Sequence, residues 1–156
     1  MKTIPLSKGK ITLVSDVDYG FLRHWNWWFS GSYAARSEVR NGQKRTIYMH
    51  KAITQRMKLR DGQADHRNQN KLDNRRSNLR LATNQQNHAN RGLLRHNTSG
   101  FKGVCWHKRA KKWMAHITVN NRSLYLKLHN TKRAAARAYN EAALEHFGNY
   151  AVLNKV

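Results

Sequence analysis

A chain of 156 residues makes one domain or two small ones. Thirty Lys and Arg stand against eight Asp and Glu, a formal charge of +22, and self-repulsion on that scale calls for a polyanionic partner. Five Trp and six Tyr exclude a disordered basic tail, because large rings need a core or a stacking partner. No run approaches the roughly 18–20 apolar residues of a membrane span, and Met1 to Lys10 lacks the apolar centre of a secretory signal, so a cytoplasmic chain with no membrane partner is expected. The single cysteine, Cys105, excludes a disulfide framework and a Cys-pair structural zinc.

In chain order, Ile4 to Val14 is short and β-branched. Asp16 opens a stretch in which Phe21, Leu22, Trp25 and Trp28 recur at near-helical spacing, with Ser15 or Asp16 as its cap. Tyr33–Val39 and Arg45–Met49 flank Asn41-Gly42, the pair that best supplies the two positive-φ residues of a tight hairpin. A short helix from His50 to Met57 follows, in which His50 reads as structural.

The polar segment Asp65 to Asn90 has few apolar residues beyond Leu72, Leu79 and Leu81. Asp65 and His66 would end one strand, Arg67 to Asn74 would turn as a loop, and Asn78 to Ala82 would return. Thr83-x-x-Gln86 is a capping-box pattern that would start a helix with Asn87 near its first turn.

The turn-rich stretch 93–100 reads as a linker between a domain at 1–92, with its core at about 60–92, and another at 101–156. Past it, Phe101–His107 suits a strand. Trp113, Ala115, Ile117 and Val119 alternate with Met114, His116 and Thr118; after Asn120-Asn121, Leu124, Leu126 and Leu128 alternate with Tyr125 and Lys127. Thr131 then opens an Ala-rich helix able to lie close on that sheet. The fold class is α+β.

Charge is distributed unevenly. Between Asp73 and Glu141 there is no carboxylate but fifteen Lys or Arg, a one-signed run that points to nucleic acid. Double-stranded DNA is the expected partner. An RNA-binding protein would also suit the charge and the stacking rings.

Asp65-His66, Asn78 twelve residues after the histidine, Asn87 nine further on, and the string Asp73-Asn-Arg-Arg-Ser-Asn-Leu-Arg80 together resemble the HNH nucleases, the ββα-metal fold of many homing endonucleases. The resemblance implies a phosphodiester hydrolase. In it His66 is the general base and Asn78 a support for the loop. Asp65 and Asn87 would be oxygen ligands of a divalent metal, Mg²⁺ before Mn²⁺ because an amide favours zinc less than an imidazole does. His88 or Asn90 could replace Asn87 if the helix register is off by one. Arg75, Arg76, Arg80 and Arg91 are candidates for phosphate contacts.

Asn97-Thr-Ser-Gly-Phe-Lys-Gly-Val104, Trp113-Met-Ala-His-Ile117 and Ala135-Ala-Arg-Ala-Tyr-Asn-Glu-Ala-Ala143 resemble the apetala-two or ethylene-response-factor type of DNA-binding domain. That resemblance implies a three-stranded antiparallel sheet in the major groove, backed by one helix. Lys102, Met114, His116, Thr118 and Tyr125 would face the groove; Lys108, Arg109, Lys111, Lys112 and Lys127 would clamp phosphates; Trp106 would touch sugar or pack. Cys105, Thr118 and Ser123 stand where the family usually has Arg, so the base readout of the plant domains does not transfer. An HNH segment joined to such a domain recurs in homing endonucleases of mobile elements. The chain is expected to act as a monomer, with a dimer needed for a double-strand break. The alternative is a binding protein or transcription regulator with a remnant nuclease site.

Overall fold

In the computed structural model, which describes residues 1–156, β1 (Lys2–Pro5) and β2 (Ile11–Val14) pair antiparallel and turn Ile4 and Val14 inward. Ser15 precedes α1 (Asp16–Leu22) in extended conformation. Its side chain does not cap the helix; the hydroxyl accepts from the Arg76 N–H at 2.9 Å. The helix is shorter than its aromatic spacing predicts. The Trp27 indole donates to the Leu22 carbonyl at 2.9 Å, satisfying a terminal carbonyl, and Trp28 already begins β3 (Trp28–Ser30).

β3 joins a meander with β4 (Tyr33–Arg40) and β5 (Gln43–Tyr48). Asn41 and Gly42 take φ of 52° and 73° between them, the two left-handed residues that a type I′ turn requires. The helix α2 (Met49–Arg56) then inserts Met49 and Ile53 among Val14, Leu22, Trp27, Ala34 and Leu79, and this cluster is the core of the first unit, Met1–Thr83.

β6 (Gln63–His66) pairs antiparallel with β8 (Leu79–Ala82), placing Asp65 opposite Arg80 and His66 opposite Leu79. Between them the chain is not all loop, as the run of polar residues suggested. Asp73 and Asn74 form β7, a parallel extension of β2. Both are buried, as is Asn78, so the polar segment is an internal hydrogen-bonded structure and not a solvated turn.

The second unit, Asn84–Val156, begins ahead of the 93–100 stretch that its turn residues suggested as a linker. It holds α3 (Asn84–Ala89), then β9 (Val104–His107), β10 (Lys112–Val119) and β11 (Arg122–His129), ordered β11-β10-β9 and antiparallel throughout. The helix α4 (Lys132–Phe147) follows; Thr131 Oγ1 caps it by accepting from the Ala134 N–H at 3.1 Å. Its buried Ala135, Ala136, Ala142 and Ala143 let it approach Val104, Ala115 and Ile117 closely.

The leucine alternation of β11 breaks once. His116 faces Tyr125, but Met114 faces Leu128, because one extra residue bulges at Leu126–Lys127, where Lys127 has φ 72°. A bulge reverses face parity, so Leu128 joins Met114 on the face away from α4 instead of sharing Leu124's face. The whole is an α+β protein, and no helix is long and apolar enough to cross a membrane.

Candidate functional site

Three hydrogen bonds starting at β2 orient His66. Thr12 Oγ1 donates to the Leu72 carbonyl at 2.7 Å and accepts from Asn74 Nδ2 at 2.8 Å. The Asn74 amide is therefore aimed with its oxygen at His66, whose Nε2 lies 3.1 Å from Asn74 Oδ1. An amide oxygen only accepts, so the network places the imidazole proton on Nε2 and the lone pair on Nδ1. Burial pushes the His66 pKa below its usual 6.5, against the opposing pull of Asn74, Asp65 and Asp73. The ring is neutral at physiological pH.

The 67–78 segment that carries this arrangement is cross-tied. Asn78 Oδ1 accepts from the Asn68 N–H at 3.1 Å while its Nδ2 donates to the Asp73 carbonyl at 2.7 Å. One amide thereby joins both limbs of the loop. Asp73 accepts from Arg75 Nε and Nη2 at 2.7 and 2.6 Å and from Asn68 Nδ2 at 2.8 Å, and the Arg75 bonds come first in holding its pKa below the carboxylate range.

Three of the arginines expected on phosphate are engaged by carboxylates inside the first unit. Arg75 is on Asp73. Arg76 donates to both oxygens of Asp18 at 2.7 Å. Arg80 is buried, its Nε 2.8 Å from Asp65 Oδ2. The register explains Arg80, since β6 and β8 set it directly across from Asp65. Arg91, in the second unit, is exposed.

Aromatic rings wall the site, a feature that the sequence spacing missed. The His50 ring lies 5.3 Å from that of His66, edge to face, and 5.0 Å from Tyr33; Lys71 Nζ sits 4.7 Å above Tyr33. Burial, then the charges of His66 and Lys51, lower the His50 pKa to about 3. Two neutral imidazoles thus sit side by side. Thr12 and Asn74 were missed as well, because a pair separated by 62 positions has no local pattern to announce it.

In the second unit, Asn87 lies on α3, half-buried. The sheet face turned away from α4 presents Met114, His116, Thr118 and Tyr125, with Tyr125 60 % exposed. His116 Nδ1 is buried on this face without a hydrogen-bond partner. Lys108, Arg109, Lys111 and Lys112 are exposed at the β9–β10 turn, and Lys127 is exposed at the bulge. Trp106 is in register with Trp113, their rings 5.1 Å apart. The Trp106 pair alternates with Cys105–Met114 and so lies on the opposite face from the groove candidates. Lys102 does not point its ammonium outward; it donates to the carbonyls of Ala89, Arg91 and His88 at 2.5, 2.7 and 3.4 Å.

Residues 61–89 match the HNH endonuclease family model and residues 99–149 that of the AP2 domain. An uncharacterized HNH endonuclease of Acanthamoeba polyphaga mimivirus is 37 % identical over 92 residues, 59 % of this chain and 46 % of that protein. Two AP2-like ethylene-responsive transcription factors of Arabidopsis thaliana are 37 % and 36 % identical over 81 residues, 51 % of this chain and 23 % and 26 % of theirs. The chain thus spans less than half the length of each of these relatives. By these matches the chain carries an HNH-like segment followed by an AP2-type domain.

Proposed function

We propose that this chain, in which an HNH segment precedes an AP2 domain, is a site-directed, divalent-metal-dependent DNA endonuclease of the homing type. The β9–β11 sheet binds double-stranded DNA in the major groove, and the first unit hydrolyses one phosphodiester. The observation that carries this reading is the anchoring of His66 by Asn74 beside Asp65.

The chemistry follows from the tautomer. A water attacking phosphorus passes its proton to His66 Nδ1, while Nε2–H stays on Asn74 Oδ1 and keeps the ring in place as it becomes an imidazolium. The new O–P bond forms as the P–O3′ bond breaks, and the 3′ oxygen takes a proton from solvent. A general base supplies typically about 10²–10⁴-fold. Asn78 acts at one remove by fixing the loop.

Asp65 is a hard oxygen donor that would begin the shell of a divalent ion. No three His, Cys, Asp or Glu side chains gather in the structure, so waters and a substrate phosphate would complete such a shell. Arg80 engages Asp65 Oδ2, yet a carboxylate has further lone pairs to give, and the donor set fits Mg²⁺ or Mn²⁺. When bound, such an ion supplies positive charge to the phosphorane oxygens. Inside the cell the chain nicks one strand as a monomer, or cuts both as a dimer.

The test incubates purified protein with the DNA flanking its own gene, with Mg²⁺ or EDTA, and runs end-labelled strands on a denaturing gel. Metal-dependent product at one position, lost in His66→Ala with affinity kept, supports the reading. The buried Asp65–Arg80 pair favours a second reading, a DNA-binding protein whose nuclease site is a remnant. DNA that shifts on a native gel but is not cut under any divalent metal would decide for it.

A further inference from the structure

Lys102 stands where the resemblance implies a groove-facing residue, yet its backbone and its ammonium are both committed elsewhere. At its root, the Lys102 N–H donates to Asn154 Oδ1 at 2.7 Å and its carbonyl accepts from Asn154 Nδ2 at 3.0 Å. Asn154 is itself clamped on α4: its N–H donates to Asn140 Oδ1 at 2.7 Å and its carbonyl accepts from Asn140 Nδ2 at 2.9 Å. At its head, the ammonium meets the carbonyls of His88 and Ala89 at the end of α3 and that of Arg91 just past it.

An ammonium has three donors. With three carbonyls taking them, none is left for a phosphate unless α3 is released. The helix has reason to need the lysine, because at six residues it is far shorter than the ~12–15 that are marginal in isolation. Its terminal carbonyls carry the negative end of the helix dipole, which a cation satisfies. Ala89 also accepts from the Val152 N–H at 3.2 Å, so the C-terminal segment ties down the same spot. Burial, helped by the nearby Arg91 charge, lowers the Lys102 pKa to about 8; the ammonium is still the main form at neutral pH.

We infer that Lys102 is a positioning residue that straps α3, the helix carrying Asn87, to the sheet domain, and that it makes no phosphate contact. The α3 helix belongs by sequence to the HNH match at 61–89 and by packing to the second unit. Within that unit, Lys102 therefore ties residues of the HNH match to residues of the AP2 match. Its bearing on cleavage rests on the nuclease reading above, but the strap itself does not.

The experiment uses the full chain with Lys102→Met, which keeps the stem and removes the donors, and Lys102→Arg, which restores donors. Hydrogen exchange reads α3, binding to an arbitrary-sequence duplex over a salt series reads phosphate contacts, and gel assays read cleavage. In Lys102→Met the α3 amides should exchange about tenfold faster or more, with the salt slope of binding as in wild type; Lys102→Arg should recover much of the protection. Unchanged α3 exchange, or a slope reduced by about one, the signature of one phosphate no longer neutralised, overturns the inference. If Lys102→Met does not fold, Asn154→Ala, which removes no charge, takes its place, and unchanged α3 exchange there overturns it. Where wild type cuts DNA, kcat should fall in Lys102→Met with KM for DNA unchanged, and an unaltered kcat counts against positioning. Where wild type cuts nothing, the nuclease reading fails while the exchange and salt arms still decide the role of Lys102.

Discussion

His66 Nε2 and Asn74 Oδ1 lie 3.1 Å apart, and Asn74 is turned to make that contact by Thr12, 62 positions away. The proton on His66 is thus set from the edge of a different sheet. Asn74→Leu removes the acceptor at similar size, so the ring loses its orientation while the β9–β11 sheet is untouched. We expect kcat to fall by about 10–100-fold, by analogy with the loss of a group that orients a working histidine, with DNA affinity unchanged. Nitrogen chemical shifts of His66 should show Nε2–H in wild type and a mixed tautomer in the variant; a single Nδ1–H tautomer in wild type would refute the assignment.

Acid should weaken the first unit early. His50 stays neutral in the fold down to about 3 and the His66 pKa is also lowered, whereas both would take protons near 6.5 when unfolded. The unfolded chain then binds more protons, so stability falls as pH drops through 6.5 and goes on falling towards about 3. Asp18 adds to this. Burial raises its pKa, but the Arg76 and Arg56 bonds outweigh that and leave it lowered, a contribution present above the ordinary carboxylate pKa and lost as pH falls through the folded value. Urea midpoints between pH 7 and pH 4 should decline steadily; a flat profile would show that these groups are not buried as described.

Much of this was legible, and the failures have a common physical cause. Asn41-Gly42 announces its hairpin because the turn chemistry is local, and the β9–β11 sheet is announced by period-two patterning. The Asp65-to-Asn87 spacing pointed to a nuclease segment, which the family match supports. What stayed hidden was pairing over distance. Nothing in the sequence says that Arg76 seeks Asp18 or that Arg80 lies across from Asp65, because strand register decides it. The bulge at Lys127, which moves Leu128 to the other face, leaves no mark in an unbroken leucine alternation.

Those pairings make the arginines separable by experiment. Asp18 is fully buried and takes two bonds from Arg76 and one from Arg56. Arg76→Ala should destabilise the first unit by about 2–3 kcal/mol, since a buried carboxylate loses its main partner while Arg56 remains. It should leave the salt dependence of DNA binding unchanged. Ala substitutions of the exposed Lys108, Arg109, Lys111 or Lys112 should do the opposite: little change in stability, and a salt slope reduced by about 0.9 for each phosphate no longer neutralised. Thermal melts and binding across a salt series separate the two patterns, and a reduced slope for Arg76→Ala would mean that it leaves Asp18 for DNA.

Gly103 sets the strictest constraint in the second unit. Its φ is +70°, and a Cβ there would lie 2.1 Å from Tyr139 Cδ2 and 2.5 Å from the His116 carbonyl oxygen. The carbonyl cannot yield, because it belongs to the central strand β10, and Tyr139 is buried on α4 against the sheet. The close approach also positions the Gly103 carbonyl to accept from the His116 N–H at 2.9 Å, which anchors the start of β9 on β10. Gly103→Ala combines left-handed strain with overpacking and should cost more than ~3 kcal/mol. Urea denaturation followed by tryptophan emission from Trp106 and Trp113 should show the second unit melting early, with weaker DNA binding in parallel. A variant as stable as wild type would mean that α4 can shift on the sheet.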